Sequence, residues 1–282
     1  MVEKSKYVLF LFLMEEKKET PSFIDHLSEL RIRIIQSVIP VLLFAVLIFI
    51  FFEPLSELIL KSMLYKEFPT YKMFCNVSQF MNMESDFCND IPVSLREDGL
   101  GQQFSLSMWF SIVGGIIVSI PWIIYQIWRF IKPGLKIQEI KAVRGFGLYV
   151  FILLFLGIFF GYFMVSPLCI NFFGNYDPFN LGKEGKIPSI TSYYKYIINP
   201  VLGCSILFQL PIAVYLFSKL GIVNPEILKK YRKHVLVAIL VLAAIITPPD
   251  FVSQVIVAVP VFILYEISII ISKRVIKKEA IK

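Results

Sequence analysis

The chain has 282 residues, 57% of them apolar, and a mean hydropathy of +0.72. Charged residues make up only 17%, well below the roughly 25% of soluble domains, so the composition excludes an ordinary soluble protein and describes an integral membrane protein. The net charge of +7 follows from the sidedness set out below and gives no reason to invoke nucleic acid as a partner.

Residues 7–14, YVLFLFLM, are too short to span and carry no cleavage-site pattern. Either they form a surface extension or translation begins at Met14, and residues 1–22 are expected to be a cytoplasmic N-terminal extension. In TPSFIDHLSELRIRII, Thr20-Pro21, or Ser22 with Asp25, can start a helix. Phe23, Leu27, Leu30 and Ile34 recur at helical spacing, which predicts an amphipathic surface helix running into a first span, Ile34–Phe52. Glu29 stands four residues before Arg33, the spacing of an ordinary helical ion pair.

The long segment 54–104 follows, and FCNVSQFMNMESDFC places Cys75 and Cys88 within it. In an oxidising compartment these two can close a short disulfide loop; otherwise they stay as two thiols. The second span is Ser105–Trp128. After it, WRFIKPGLKIQEIKAVR carries Arg129, Lys132, Lys136, Lys141 and Arg144 against a single acid, Glu139. That carboxylate can merely balance its neighbours, or it can be the acceptor for a cationic ligand that a basic loop would otherwise repel. Glu29 and Glu139 together would give two guanidinium groups a bidentate partner each. The third and fourth spans are Phe146–Leu168 and Tyr196–Phe217. Pro40, Pro121, Pro200, Pro211 and Pro260 fall inside spans and predict kinked helices. Gln209, beside Pro211, is a mid-membrane amide that needs a hydrogen-bond partner. Cys169 and Cys204 read as small packing residues.

From Val235 to Ser272 there are 38 residues, and the only charges among them are Asp250 and Glu266. One helix of that length would run roughly 57 Å against a hydrocarbon core of about 30 Å. The break falls at Pro248-Pro249-Asp250, where two prolines forbid a continuing helix. The segment is therefore two short legs with a carboxylate at the tip, which brings the expected count to six spans. Glu266, near the inner end, can snorkel to the interface. With the N-terminus inside, inner segments hold 21 of the 28 Lys and Arg residues and outer segments hold 11 of the 21 acids. Both termini are then cytoplasmic. The expected division is a membrane domain over 23–273, with an outer loop 54–104, and a basic tail over 274–282.

No H-E-x-x-H, G-x-x-x-x-G-K-[ST] or G-x-S-x-G motif occurs, and no metal-ligand cluster. An enzyme reading has no nucleophile–base constellation, and nothing calls for a cofactor or metal. Composition alone leaves a protein-binding membrane subunit level with a small-solute or ion transporter that holds its ligand in a kinked bundle. A transporter should concentrate polar groups mid-membrane, whereas the suggestive carboxylates here lie on the cytoplasmic rim.

FIDHLSELRIRI, IPWIIYQIWRFIKPGL followed by Glu139, FGYFMVSPL and ITPPDFVSQ, taken in this order, resemble the TatC family over roughly Phe23 to Lys273. The family provides the largest subunit of the twin-arginine protein translocase. The resemblance implies an all-α membrane protein of six kinked helices in a bacterial-type inner membrane, the fifth and sixth short. It implies a receptor for paired arginines in the signal peptides of folded precursors. It also implies partner subunits of the single-span TatA and TatB kinds, an oligomeric complex, and transport driven by the protonmotive force without nucleotide. By motif, Glu29 and Glu139 would receive the two arginines, and Arg31 and Phe130 would shape that surface. Gln209 would contact a partner helix, and Pro248, Pro249 and Asp250 would form the outer hairpin tip. In the family the position of Gln209 is commonly a glutamate, so a role that needs a titratable charge there is in doubt.

Overall fold

The computed structural model describes residues 23–65, 67–80, 88, 96, 99, 101–131, 146–176 and 189–280. Glu139 and the N-terminal extension lie outside them. The described chain is helical, with one isolated parallel bridge between Arg96 and Ser189. The helices are α1 (Phe23–Ile50), α2 (Phe52–Ile59), α3 (Pro69–Phe80), α4 (Gln102–Ile131), α5 (Phe146–Phe160) and α6 (Ser166–Asn175). They continue with α7 (Ile190–Leu207), α8 (Leu210–Lys219), α9 (Pro225–Lys230), α10 (Arg232–Ile246) and α11 (Phe251–Ala280).

Among the described residues five stretches are long and apolar enough to cross a membrane: Leu27–Ile50, Gln102–Ile131, Gly147–Asn175, Ile190–Lys219 and Phe251–Lys277. The first joins the amphipathic entry and the apolar run in one continuous helix, because nothing between Phe23 and Ile50 stops it except Pro40, which sits inside. α10 has only 15 residues, about 22 Å of helix. The expectation of two short legs fails for the second: α11 has 30 residues. Its apolar run ends at Ser272, but Lys, Arg and Glu propagate a helix well and neither Gly nor Pro follows. The break between the legs falls at 247–250, as the two prolines require.

Small residues let the spans meet closely. A Cβ on Gly115 would stand 2.7 Å from the Val41 carbonyl oxygen, so α1 and α4 touch backbone to backbone there. Gly157 and Gly161, spaced as small-x-x-x-small, do the same for α5 against α7, where added Cβ atoms would meet the Cys204 carbonyl at 2.8 Å and the Val201 Cα at 2.7 Å. Without a water-driven hydrophobic effect in lipid, such close contact is what holds spans together.

Prolines shape the bundle in a way that leaves its mark on other helices. A proline at position i frees the carbonyl of residue i−4, and an unpaired carbonyl is costly in hydrocarbon. Pro40 frees that of Gln36, which accepts instead from the Trp122 indole Nε1 of α4 at 3.0 Å. Pro167 frees that of Phe163, which accepts from the Thr70 hydroxyl of α3. Around Pro167 the chain widens into a π turn over Gly161–Val165, and the Ser166 hydroxyl donates to Gly161 O at 2.9 Å and to Ile197 O at 3.1 Å. Before Pro211 the helix breaks at Phe208–Gln209.

The described residues between α1 and α3 fold into a cap over one end of the bundle. Leu60 and Met63, in and beside the 3₁₀ turn Lys61–Leu64, are fully buried against the ends of α4 and α7. Tyr162 donates to Ile59 O at 2.8 Å and Tyr193 to Leu60 O at 2.7 Å. A disulfide joins Cys75 of α3 to Cys88. Cys169 and Cys204 are buried free thiols in the core between α6, α7 and α10.

Candidate functional site

The N-terminal end of α1 lies against the C-terminal end of α4, because Arg33 meets Gln126 and Gln36 meets Trp122 across the pair. Glu29 is one turn outward from Arg33, and Phe130 one turn outward from Gln126, so both stand at the same end of the bundle. Arg31 there is exposed and Phe130 is half-buried.

The geometry around Glu29 is specific. Its carboxylate accepts from the Arg33 guanidinium at 2.9 Å, with 30% of the Glu29 side chain exposed and 16% of Arg33. Arg33 also reaches Gln126 Oε1 at 3.4 Å and Gln36 Oε1 at 3.5 Å, while its Nε is buried without a partner. The result is a carboxylate held at a rim by an internal guanidinium that is anchored more deeply than the carboxylate itself. Spacing suggested the ion pair. The anchor Gln126 carries only a weak sequence signal, a lone amide in an apolar run, yet it is buried to 2% exposure.

Gln209 stands at the α7–α8 break, buried, with its amide nitrogen donating to Val150 O at 3.4 Å and its Oε1 without a partner. It does not join the Glu29 cluster. Pro248 and Pro249 lie in the α10–α11 turn, and Asp250 caps α11, accepting from Val252 N at 3.0 Å and Ser253 N at 2.8 Å. Partial burial works against the Asp250 carboxylate, but the hydrogen bonds from Ser253 and Val252 overcome it and hold its pKa below the usual value. Glu266 pairs with Arg232 at 2.5 Å, tying α11 to the start of α10.

A concave groove of roughly 1060 Å³ opens between α4, α5 and α7, walled by side chains such as Phe110, Ile152 and Phe155. Its one polar side chain is Tyr162, whose hydroxyl is already bonded to Ile59 O and Ser62. Among the described residues no group of His, Cys, Asp and Glu could hold a metal.

Residues 25–260 match the family model TatC, Sec-independent protein translocase protein. The chain belongs to the TatC family. TatC of Blattabacterium sp. subsp. Periplaneta americana is 32% identical over 271 residues, covering 95% of this chain and all of that one. TatC of Aquifex aeolicus is 32% identical over 255 residues, covering 90% and 96%. A crystal structure of a twin-arginine translocase receptor, TatC, superposes with a TM-score of 0.68 at 31% identity, covering 89% of this chain and 99% of that one. The chain is therefore a multi-pass membrane component of a Sec-independent protein translocase, a transport protein by family.

Proposed function

We propose that this TatC-family chain is the receptor for twin-arginine signal peptides on folded precursors, and the scaffold on which the export site assembles. The observation that carries the reading is the Glu29 carboxylate, held at the end of α1 by a guanidinium at 2.9 Å. A site that already binds one arginine side chain is built for another, since planar guanidinium matches carboxylate in a bidentate fork. Glu139, the single acid of the basic segment that follows α4, is the second acceptor. Arg31 and Phe130, at the same end of the bundle, shape the surface between them.

The rim faces the cytoplasm of a bacterial-type inner membrane, both termini lie on that side, and α10 is the short fifth of six crossings. Single-span TatA and TatB subunits dock where Gln209 offers an unpaired amide oxygen to a polar group in a partner helix. The hairpin with its outer tip at Pro248, Pro249 and Asp250 thins the bilayer around α10. Transport is driven by the protonmotive force, in keeping with the absence of any nucleotide-binding motif. A solute transporter is disfavoured by the large groove, which offers a hydrophilic ligand no unpaired polar side chain.

Site-specific crosslinking from positions 29 and 139 to a twin-arginine signal peptide tests the reading, with a twin-lysine peptide as control. Lysine is a point charge and cannot reproduce the fork. Arginine-dependent crosslinks that vanish on Glu139→Ala are expected. Equal labelling by both peptides would overturn the carboxylate mechanism.

A further inference from the structure

We propose that a basic cleft between α9 and α11 is a binding site for the headgroup of an anionic phospholipid. The cleft, of roughly 800 Å³, gathers Lys229 from α9 with Lys273, Arg274 and Lys277 from α11, against the single acid Glu226. None of these four cations has an ion pair or side-chain hydrogen bond among the described residues. A bias of Lys and Arg toward one side of the membrane accounts for cations near helix ends. It does not account for four from two separate helices converging on one cleft.

The convergence is built, not incidental. The Tyr265 hydroxyl of α11 donates to the Leu228 carbonyl of α9 at 2.6 Å, which fixes Lys229 beside the α11 cations. The Asn224 side chain caps α9 by accepting from Ile227 N at 2.8 Å. Four like charges held together against one acid repel one another, so the arrangement gains when an anion enters.

Its position selects a lipid over a free anion. Ser218 at the end of α8 bonds Ser272 Oγ at 2.8 Å, one residue before the first α11 cation, so the cleft begins where the Ile190–Lys219 stretch ends and the apolar run of α11 gives way to cations. Exposed apolar side chains flank it, Ile270 in its wall and Ile222 and Ile227 nearby, at the level where acyl chains begin. A phosphodiester at the cations with its chains along Ile270 satisfies both features. Basic pockets beside membrane helices recognise headgroups in this way. The inference is independent of the signal-peptide reading, since it involves neither Glu29 nor Glu139.

The test is native mass spectrometry of the full chain released from a neutral detergent, titrated with phosphatidylglycerol or with phosphatidylcholine of the same chains. Phosphatidylglycerol should be retained at concentrations where phosphatidylcholine is not. The triple variant K229Q/K273Q/K277Q should lose about fivefold in apparent affinity per cation removed, on the order of 100-fold in all. The triple Lys→Arg variant, which keeps the charge, should keep the binding and serves as the folding control. An outer-face control, K61Q/K72Q, should change nothing. Retention that is equal for both lipids, or unchanged in the glutamine variant, or lost in the arginine variant, would overturn the proposal. Displacement of the lipid by inorganic phosphate would overturn it in favour of a free-phosphate site.

Discussion

Replacing Trp122 with Phe should destabilise the chain only as long as Pro40 is present. The Gln36 carbonyl has lost its helical donor to Pro40 and takes the Trp122 indole instead at 3.0 Å. Phenylalanine keeps most of the ring and removes the donor, leaving a carbonyl unpaired at the α1–α4 contact. Interhelical hydrogen bonds in membranes average about 0.6 kcal/mol and reach about 1.7, and this one should lie toward the upper end because a carbonyl left unpaired against lipid finds no water. A loss of roughly 1–1.5 kcal/mol is therefore expected. In the Pro40→Ala background the new backbone N–H reaches the same carbonyl, and Trp122→Phe should then cost a few tenths at most. The assay is a double-mutant cycle on equilibrium unfolding of the full chain in mixed micelles, with a coupling energy of about 1 kcal/mol as the result. Thr70→Val against Pro167→Ala is an independent repeat, because the Thr70 hydroxyl serves the carbonyl of Phe163 by the same logic. Equal losses in both backgrounds would refute the idea that these side chains replace what the prolines remove.

Other consequences follow from named contacts. Glu29→Gln should weaken binding of a twin-arginine peptide at least tenfold, since a charge-assisted bond contributes about 1.5–3 kcal/mol. Arg33→Gln should tighten it by up to about fivefold, because it releases a half-exposed pair of about 0.2–1 kcal/mol; fluorescence titration that gave both variants the same sign would show the pair to be purely structural. Gly161→Ala forces a methyl to within 2.7 Å of the Val201 Cα and should cost about 1–3 kcal/mol, whereas Gly147→Ala meets nothing within 4 Å and should leave the unfolding midpoint unchanged. Asp250→Ala removes the cap of α11 and should cost about 1 kcal/mol. Since the folded-state pKa of Asp250 is lowered, that contribution is fully present above the ordinary aspartate value of about 3.9 and is lost as pH falls through the lower folded value. Wild type and variant should therefore differ equally at neutral pH and at mild acidity, and converge only in strong acid. Inserting four alanines into α10 lengthens it by about 6 Å and should weaken co-purification of single-span partners, and unchanged recruitment would remove the docking role of the short helix.

The spans were legible because each is a long uncharged run, and the break at Pro248–Asp250 because two prolines leave the backbone no alternative. The outer cap was not. Residues 54–80 show no sustained period, yet Leu60 and Met63 become the largest fully buried side chains among the described residues. Their burial is decided by α4 and α7, which are distant in sequence. α11 outruns its apolar segment because that segment marks only where a helix leaves the bilayer, and the Lys-rich sequence beyond it continues the same helix.

At the site, spacing exposed the Glu29–Arg33 pair, while its anchor Gln126, 93 residues from Arg33, could not be paired from the sequence. The prolines show the general reason. Pro40 and Pro167 announce that the carbonyls of Gln36 and Phe163 need a donor, because the covalent structure of proline removes the usual one. Nothing local says that Trp122 and Thr70 will supply it, 86 and 93 residues away. A membrane sequence thus states its unmet hydrogen-bond demands openly and leaves their partners to the packing. The same distinction bears on Glu29. Its demand is met inside the chain by Arg33, so on the proposed receptor reading a signal-peptide arginine has to outcompete a neighbour already in place. On the receptor reading proposed above, that competition favours a guanidinium over an ammonium, because a guanidinium can offer the carboxylate a two-point fork where Arg33 makes a single contact at 2.9 Å.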